Sequence, residues 1–185
     1  MSKAIERQEV DWVALKDRSV IITGGASGLG EATVEKFAAH GAFVTIADVA
    51  EERGRALAAK LTGQGRNVIF VRCDTTDWES SVIAFKHAAN HGPSKTLDIA
   101  ILYAGLSGPV GSMVDKILQS EPPTLDGSPT QPETPEAIEV NLKGVRLSVW
   151  LALHYFRLPA VDGSVGDKSL VIVTSLAACM ISFPR

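Results

Sequence analysis

Short apolar runs rich in β-branched residues alternate with amphipathic stretches along the whole chain. Ser19–Thr23 (SVIIT) reads as a buried strand, and Glu31–His40 as a helix with Ala32, Val34, Phe37 and Ala38 on its apolar positions. Phe43–Ala47 (FVTIA) is the next strand, followed by a helix over Glu51–Leu61 and a strand at Val68–Val71. Asp77–Asn90 is helical in pattern, and Leu97–Tyr103 (LDIAILY) is a fourth strand. A long helix over Pro135–Phe156 and a fifth strand at Ser169–Thr174 complete the series. Strands that are apolar on both faces and separated by helix-length crossovers predict a parallel sheet covered by helices on each side. Right-handed crossovers make that an α/β, doubly wound sheet of expected strand order 3-2-1-4-5. Ser107–Thr134, with its run EPPTLDGSPTQPET, is too polar for core and is expected to be a surface loop over the site.

The 185 residues suffice for one domain with a sizeable core and are too few for two ordinary ones. Eighteen basic against 21 acidic side chains leave a net charge of −3, with no basic block, so no nucleic-acid partner is expected. The apolar stretch from Ser169 to Phe183 is shorter than a membrane span and is interrupted by Thr174 and Ser175. Met1–Trp12 mixes charges without an apolar centre, unlike a signal peptide. Cys73 and Cys179 both sit in apolar, strand-like contexts, and there is no Asn-x-Ser/Thr acceptor. These features fit a cytoplasmic protein.

The first strand runs into Thr23-Gly24-Gly25-Ala26-Ser27-Gly28-Leu29-Gly30, and a helix follows. A turn free of side chains lets backbone N–H groups and a helix N-terminus approach a pyrophosphate. No Lys-Ser/Thr pair follows Gly30, which excludes a Walker A loop. Asp48 closes the second strand, 18 residues after Gly30. A carboxylate there accepts hydrogen bonds from both ribose hydroxyls of an adenosine and repels a 2′-phosphate. No Arg or Lys occupies the glycine turn or the two positions after Asp48, so NAD is favoured over NADP. A plainer reading makes Asp48 the N-cap of the Glu51 helix.

The T-G-x-x-x-G-x-G turn resembles that of the short-chain dehydrogenases/reductases, and the likeness extends from about Arg18 to the last residue. The resemblance implies a Rossmann-like nucleotide-binding fold and a nicotinamide cofactor. Gly24, Gly28 and Gly30 match the family's three glycines, and Ser27 and Leu29 fall at cofactor-contacting positions of the turn. Asp74, in Cys73-Asp74-Thr75, matches the Asp that bonds the adenine amino group, with a backbone N–H beside it on a ring nitrogen. The plainer reading makes Asp74 or Thr75 a cap for the next helix. Leu102-Tyr103-Ala104-Gly105 resembles the family's N-N-A-G but has Leu and Tyr for the two Asn. Ala104 and Gly105 keep the close backbone approach, while the side-chain bonds of those Asn to the central sheet are lost.

Two matches carry the chemistry that the resemblance implies. Asn141, in Val140-Asn141-Leu142-Lys143-Gly144, corresponds to the Asn that holds a water in the family's proton relay; otherwise it is a buried Asn satisfied by backbone. Ser175, in Ile172-Val173-Thr174-Ser175, corresponds to the Ser that polarises the substrate carbonyl or hydroxyl; otherwise it caps a strand end. The family's proton donor is a Tyr in Tyr-x-x-x-Lys, a dozen or so residues after that Ser. The sequence ends ten residues after Ser175, and neither Tyr103 nor Tyr155 has a Lys four residues on. The expectation is therefore a dinucleotide-binding domain over 1–185, truncated before the pair and lacking the family's last strands and helices. It belongs to an NAD-dependent oxidoreductase acting on a small-molecule secondary alcohol or ketone, inactive as this chain alone and homo-oligomeric when complete. A non-catalytic NAD-binding or interaction module is the alternative. His87 and His91 lie four apart on a helix, but no Cys or acid has ligand spacing; they read as a solvated helix end rather than a metal site.

Overall fold

The computed structural model describes residues 11–106, 124–127, 136–161, 163 and 166–173. Five parallel strands, β1 (Ser19–Thr23), β2 (Phe43–Asp48), β3 (Val68–Arg72), β4 (Ile99–Leu102) and β5 (Ser169–Ile172), stand in the order β3-β2-β1-β4-β5. This is the order expected from the alternation of strand and helix patterns. Helices α1 (Gly28–Ala39) and α2 (Glu51–Gly63) cover one face, and α3 (Trp78–His91) and α4 (Val145–Phe156) the other. The pleat divides the strands between two cores. Val20, Ile22, Val44, Ile46 and Ile101 meet Val34 and Ala38 of α1 and Leu57 and Leu61 of α2. Ile21, Ala100 and Leu102 meet Ala84, Phe85 and Ala88 of α3 and Leu151 and Ala152 of α4.

Chain direction places the C-terminal ends of all five strands along one edge. The opposite edge is fastened by Asp98, which is 4% exposed. Its Oδ2 accepts the Ser19 N–H at 2.9 Å, and its Oδ1 pairs with Lys168 Nζ at 2.9 Å and lies 3.7 Å from Arg18. Asp98 also exchanges main-chain bonds with Ser19 and Ser169. One carboxylate thus ties together the starts of β1, β4 and β5, with its charge compensated as burial requires.

Several boundaries differ from the pattern. α1 begins at Gly28, three residues before the apolar periodicity, because Ser27 serves as its extended N-cap residue. β4 keeps only Ile99–Leu102 of the Leu97–Tyr103 run. The long helix is not uniform: Glu136–Ile138 is α-helical, Glu139–Gly144 is π-helical, and α4 follows. Widened helical turns of this kind concentrate at functional sites, and this one contains Asn141. The Ser107–Thr134 loop lies outside the described residues apart from an exposed turn at Thr124–Gly127. Cys73 is buried, and burial pushes its thiol up to about 11, so it packs as an inert apolar side chain.

The two helix histidines are unlike each other. His87 is exposed, but His91 is half-buried, edge-on to Phe43 with centroids 5.4 Å apart, and its Nδ1 has no partner. The solvated helix end expected there does not hold for His91, because the helix turns that position under the start of β2. Burial, aided by the charge of Lys95, holds the imidazole below its ordinary value of 6.5. Well above pH 6.5 both folded and unfolded chains are uncharged at this site. As the pH falls through that value the unfolded chain binds the proton first, and stability drops until the folded value is passed. Urea unfolding should therefore give a lower stability at pH 5 than at pH 7.5, with a smaller difference in His91→Leu; an identical pH dependence in the two proteins would refute the assignment.

Candidate functional site

The glycine turn forms where β1 stops, and its backbone is packed too closely for side chains. Gly24 has φ +67°, a conformation that L side chains rarely adopt. A Cβ there would lie 2.7 Å from Ala104 N and 2.9 Å from Tyr103 C. The Gly24 N–H donates to the Ala47 carbonyl at 2.8 Å, and the Ala104 N–H to Thr23 Oγ1 at 3.3 Å, so β2 and the segment just after β4 grip the turn from opposite sides. A Cβ on Gly30 would collide with the Gly24 carbonyl oxygen, which sets how closely α1 seats on the turn. Gly28 is the exception. Its φ is +54°, yet a Cβ there would meet no atom within 4 Å. Ser27, Gly28 and Leu29 are all exposed, and the Ser27 hydroxyl makes no capping bond, so the N-terminus of α1 opens onto free space.

Asp48, at the end of β2, directs both carboxylate oxygens at backbone. Oδ2 accepts the Ala26 N–H and Oδ1 the Ala50 N–H, each at 2.9 Å. The N-cap residue of α2 is Ala50, which makes no side-chain capping bond, so Asp48 is not a conventional cap. Each oxygen retains a lone pair for a further donor. Between α1 and α2, beside Ser27, lies a groove of about 380 Å³ lined by Glu31, Arg53 and Lys60 among others. Lys60 is committed to Glu35 at 2.7 Å, a bond that raises its pKa. Arg53 enters this groove from the first turn of α2. Sequence spacing missed it, because it stands five residues beyond Asp48 and reaches the groove only through the helix.

Asp74 follows β3. Its Oδ1 accepts the Thr76 N–H at 2.9 Å and the Thr76 hydroxyl at 2.7 Å, and these bonds hold its carboxyl below the usual range. Neither Asp74 nor Thr75 caps α3, since that role belongs to Asp77, whose carboxylate accepts the Ser80 N–H. Thr75 is buried against Gly144, where a Cβ would come within 2.7 Å of its hydroxyl. This contact and the side chain of Asn141 fix the π-helical segment against the end of the sheet. Asn141 is exposed, and its amide makes a two-point bond with the Leu106 backbone, accepting its N–H and donating to its carbonyl, both at 2.8 Å. Backbone thus satisfies the Asn141 side chain, in keeping with the plainer reading except that the residue is not buried. A Cβ on the neighbouring Gly105 would lie 3.2 Å from Asn141 Oδ1.

Leu102 and Tyr103 replace the expected Asn pair without leaving a gap. Leu102 is 2% exposed, and Tyr103 packs on the α1–α2 core with its hydroxyl 3.2 Å from that of Thr33 on α1. The tie from this strand end to its surroundings therefore persists with a different partner. The structure brings together Gly24, Ser27, Gly28, Leu29, Gly30, Asp48, Asp74, Thr75, Ala104, Gly105 and Asn141 at the C-terminal edge of the sheet. In open α/β sheets that edge, where the strand order reverses, is where ligands bind. Ser175 lies outside the described residues. No cluster of His, Cys, Asp or Glu among the described residues is suited to a metal ion. None of the described helices is long and apolar enough to cross a membrane.

Comparison with known proteins bears on the same edge. The short chain dehydrogenase family matches residues 18–184. The chain is 46% identical over 175 residues to the 5′-hydroxyaverantin dehydrogenase of Dothistroma septosporum, covering 94% of this chain and 57% of that protein. It is 38% identical over 176 residues to the corresponding dehydrogenase of Emericella nidulans, covering 93% of this chain and 56% of that one. The chain thus spans little more than half the length of these relatives. Among solved structures, a short chain dehydrogenase from Mycobacterium smegmatis superposes with a TM-score of 0.61 at 28% identity, over 82% of this chain and 57% of that one. Strand order, glycine turn and a family match over nearly all of the sequence agree: the chain belongs to the short chain dehydrogenase family.

Proposed function

We propose that these residues form the cofactor-binding part of an NAD-dependent oxidoreductase that interconverts a secondary alcohol and a ketone. The observation that carries the reading is the open floor at Gly28, where the turn and the N-terminus of α1 present backbone to space that a side chain would fill. Such a cradle suits a pyrophosphate, which the helix dipole and free N–H groups would hold. Asp48 would accept the ribose hydroxyls on its remaining lone pairs, Asp74 and Thr75 would border the adenine, and Ala104 and Gly105 would line the path toward the nicotinamide. When bound, the nicotinamide supplies the hydride chemistry, and the protein contributes position and proton exchange. Ser175 would polarise the substrate oxygen, and Asn141, by holding Leu106, would keep the strand end and the π-helical segment in register for the relay. Both curated relatives are dehydrogenases of a hydroxylated compound, which supports an alcohol as substrate. Residues 1–185 contain no Tyr-x-x-x-Lys. Turnover by these residues alone should be slower than with that pair by about 10²–10⁴-fold, the usual worth of a positioned acid/base.

An oligomeric role is proposed for the outer face of α4 and the turn before it. Leu142, Trp150 and Leu153 there are 68%, 69% and 53% exposed, and Trp78 of α3 borders the same patch beside Arg146. Apolar surface of this kind marks a contact. Light scattering at tens of micromolar should show self-association, reduced by Trp150→Glu; a monodisperse monomer that binds no hydrophobic dye would contradict this.

The turn yields a paired test. Gly28→Ala should cost roughly 1–2 kcal/mol of stability from its left-handed backbone and should weaken NAD at least tenfold by filling the cradle. Gly24→Ala should lose more stability, because it adds a collision with the Tyr103–Ala104 backbone. Urea unfolding and calorimetric titration measure the two effects, and full NAD affinity in Gly28→Ala would remove the pyrophosphate from this site. For cofactor choice, NAD should bind more tightly than NADP by roughly 2–4 kcal/mol, the loss of hydrogen bonds plus charge repulsion at Asp48. Arg53→Ala should widen that gap and Val49→Arg narrow it, whereas equal binding of the two dinucleotides by the unaltered protein would overturn the assignment.

A further inference from the structure

The Asp48 carboxylate is already engaged in the protein alone, and its partners lie on both sides of it. Ala26, in the middle of the glycine turn, is 3% exposed, and its N–H donates to Asp48 Oδ2 at 2.9 Å. A buried N–H without an acceptor is strongly disfavoured. Two residues earlier, the Gly24 N–H is held by the Ala47 carbonyl at 2.8 Å. The end of β2 therefore grips the turn twice, through main chain at Gly24 and through side chain at Ala26. The Ala50 N–H, on Oδ1 at 2.9 Å, keeps the carboxylate from rotating away and starts α2 in the same stroke. Held at those two points, the turn directs Ser27, Gly28 and Leu29 outward, and all three are exposed.

We infer that Asp48 is a positioning residue that shapes the glycine turn before any ligand arrives, in addition to its proposed part in choosing the cofactor. The two duties draw on different properties of the side chain. The turn needs a hydrogen-bond acceptor at Oδ2, which an amide oxygen also provides, whereas rejection of a 2′-phosphate needs the negative charge. Removing the acceptor should loosen the turn and weaken every dinucleotide; removing only the charge should relax selectivity while leaving most of the turn in place. Replacing this acid by a small apolar residue is therefore a poor route to NADP use.

The selectivity half of this inference rests on the functional reading above, and the turn half does not, so the two are measured separately. Amide hydrogen exchange followed by NMR on the ligand-free, full-length protein reports the latch, and calorimetric titration with NAD and NADP reports selectivity. In Asp48→Ala the Ala26 amide should exchange at least about tenfold faster, with Val20–Ile22 of β1 unchanged and both dinucleotides weakened. In Asp48→Asn the Ala26 amide should keep more of its protection, and the gap between NAD and NADP should shrink. Unaltered Ala26 exchange in Asp48→Ala would overturn the latch, whatever the selectivity. Faster exchange shared equally by Val20–Ile22 would also overturn it, since the residue would then support the sheet and not the turn. An Asp48→Asn protein that loosens at Ala26 but discriminates as before would instead remove Asp48 from cofactor choice and leave the latch standing.

Discussion

The architecture depends on a place where backbones meet with no room for side chains. At the end of β1, Gly24 abuts the Tyr103–Ala104 backbone just beyond β4, and α1 sits on Gly24 through Gly30. A third close approach, Gly144 against Thr75, brings the π-helical segment to the same edge of the sheet. Each costs the unfolded chain extra freedom, since glycine has the most to lose on folding. What they gain is proximity: strands, helix N-terminus and the Asn141 segment converge within a few residues of one another. The only glycine of the turn that meets nothing is Gly28. At Gly28 only the left-handed backbone calls for glycine, whereas at Gly24 and Gly30 close neighbours exclude a side chain as well.

Carboxylates fasten both edges of the sheet, by similar bonds in different electrical settings. Asp98, at the start of β4, is buried and neutralised by Lys168 and Arg18, so it serves as structure alone. Asp48 and Asp74, at the opposite edge, bond to backbone N–H groups and a hydroxyl and have no ion-pair partner among the described residues. Their charge remains available to whatever enters the edge. That contrast separates a carboxylate whose charge is compensated within the fold from two that are held by hydrogen bonds alone.

Features set by local chemistry were legible in the sequence. Runs such as SVIIT and FVTIA announced strands buried on both sides, and their alternation with helices gave the strand order. The glycine spacing marked a close-packed turn at the C-terminal edge of the sheet, with Asp48 beside it. Contacts between distant residues were not legible. Thr33 and Tyr103 are 70 residues apart, and nothing in either predicts that their hydroxyls meet. Its place at the strand end gave Asp48 a choice between ribose and cap, and one of the two bonds it makes, to Ala26, required knowing how the turn folds back. The same holds for the π-helical turn, whose residues carry an ordinary helical pattern until Asn141 and Gly144 are pinned from outside. His91 looked like a helix end, and its burial depends on Phe43 of another strand.

The position of β1 in the strand order bears on how the chain is made. β2 pairs with one side of β1 and comes about 20 residues later, but its other partner, β4, begins about 80 residues later, with Asp98 reaching back to Ser19 across 79 positions. During synthesis at roughly 5–20 residues per second, the open side of β1 waits on the order of 4–16 s for its neighbour. Through that interval an apolar strand, Val20–Ile22, presents unpaired N–H and C=O groups, the arrangement that invites pairing with the wrong chain. The residues that cover Val20 and Ile22 in the finished fold, on α1, α2 and β2, are all made before β4, so what that strand lacks until then is its second row of main-chain bonds. The central position that makes β1 the spine of the finished sheet also makes the completion of its pairing wait on a strand made much later.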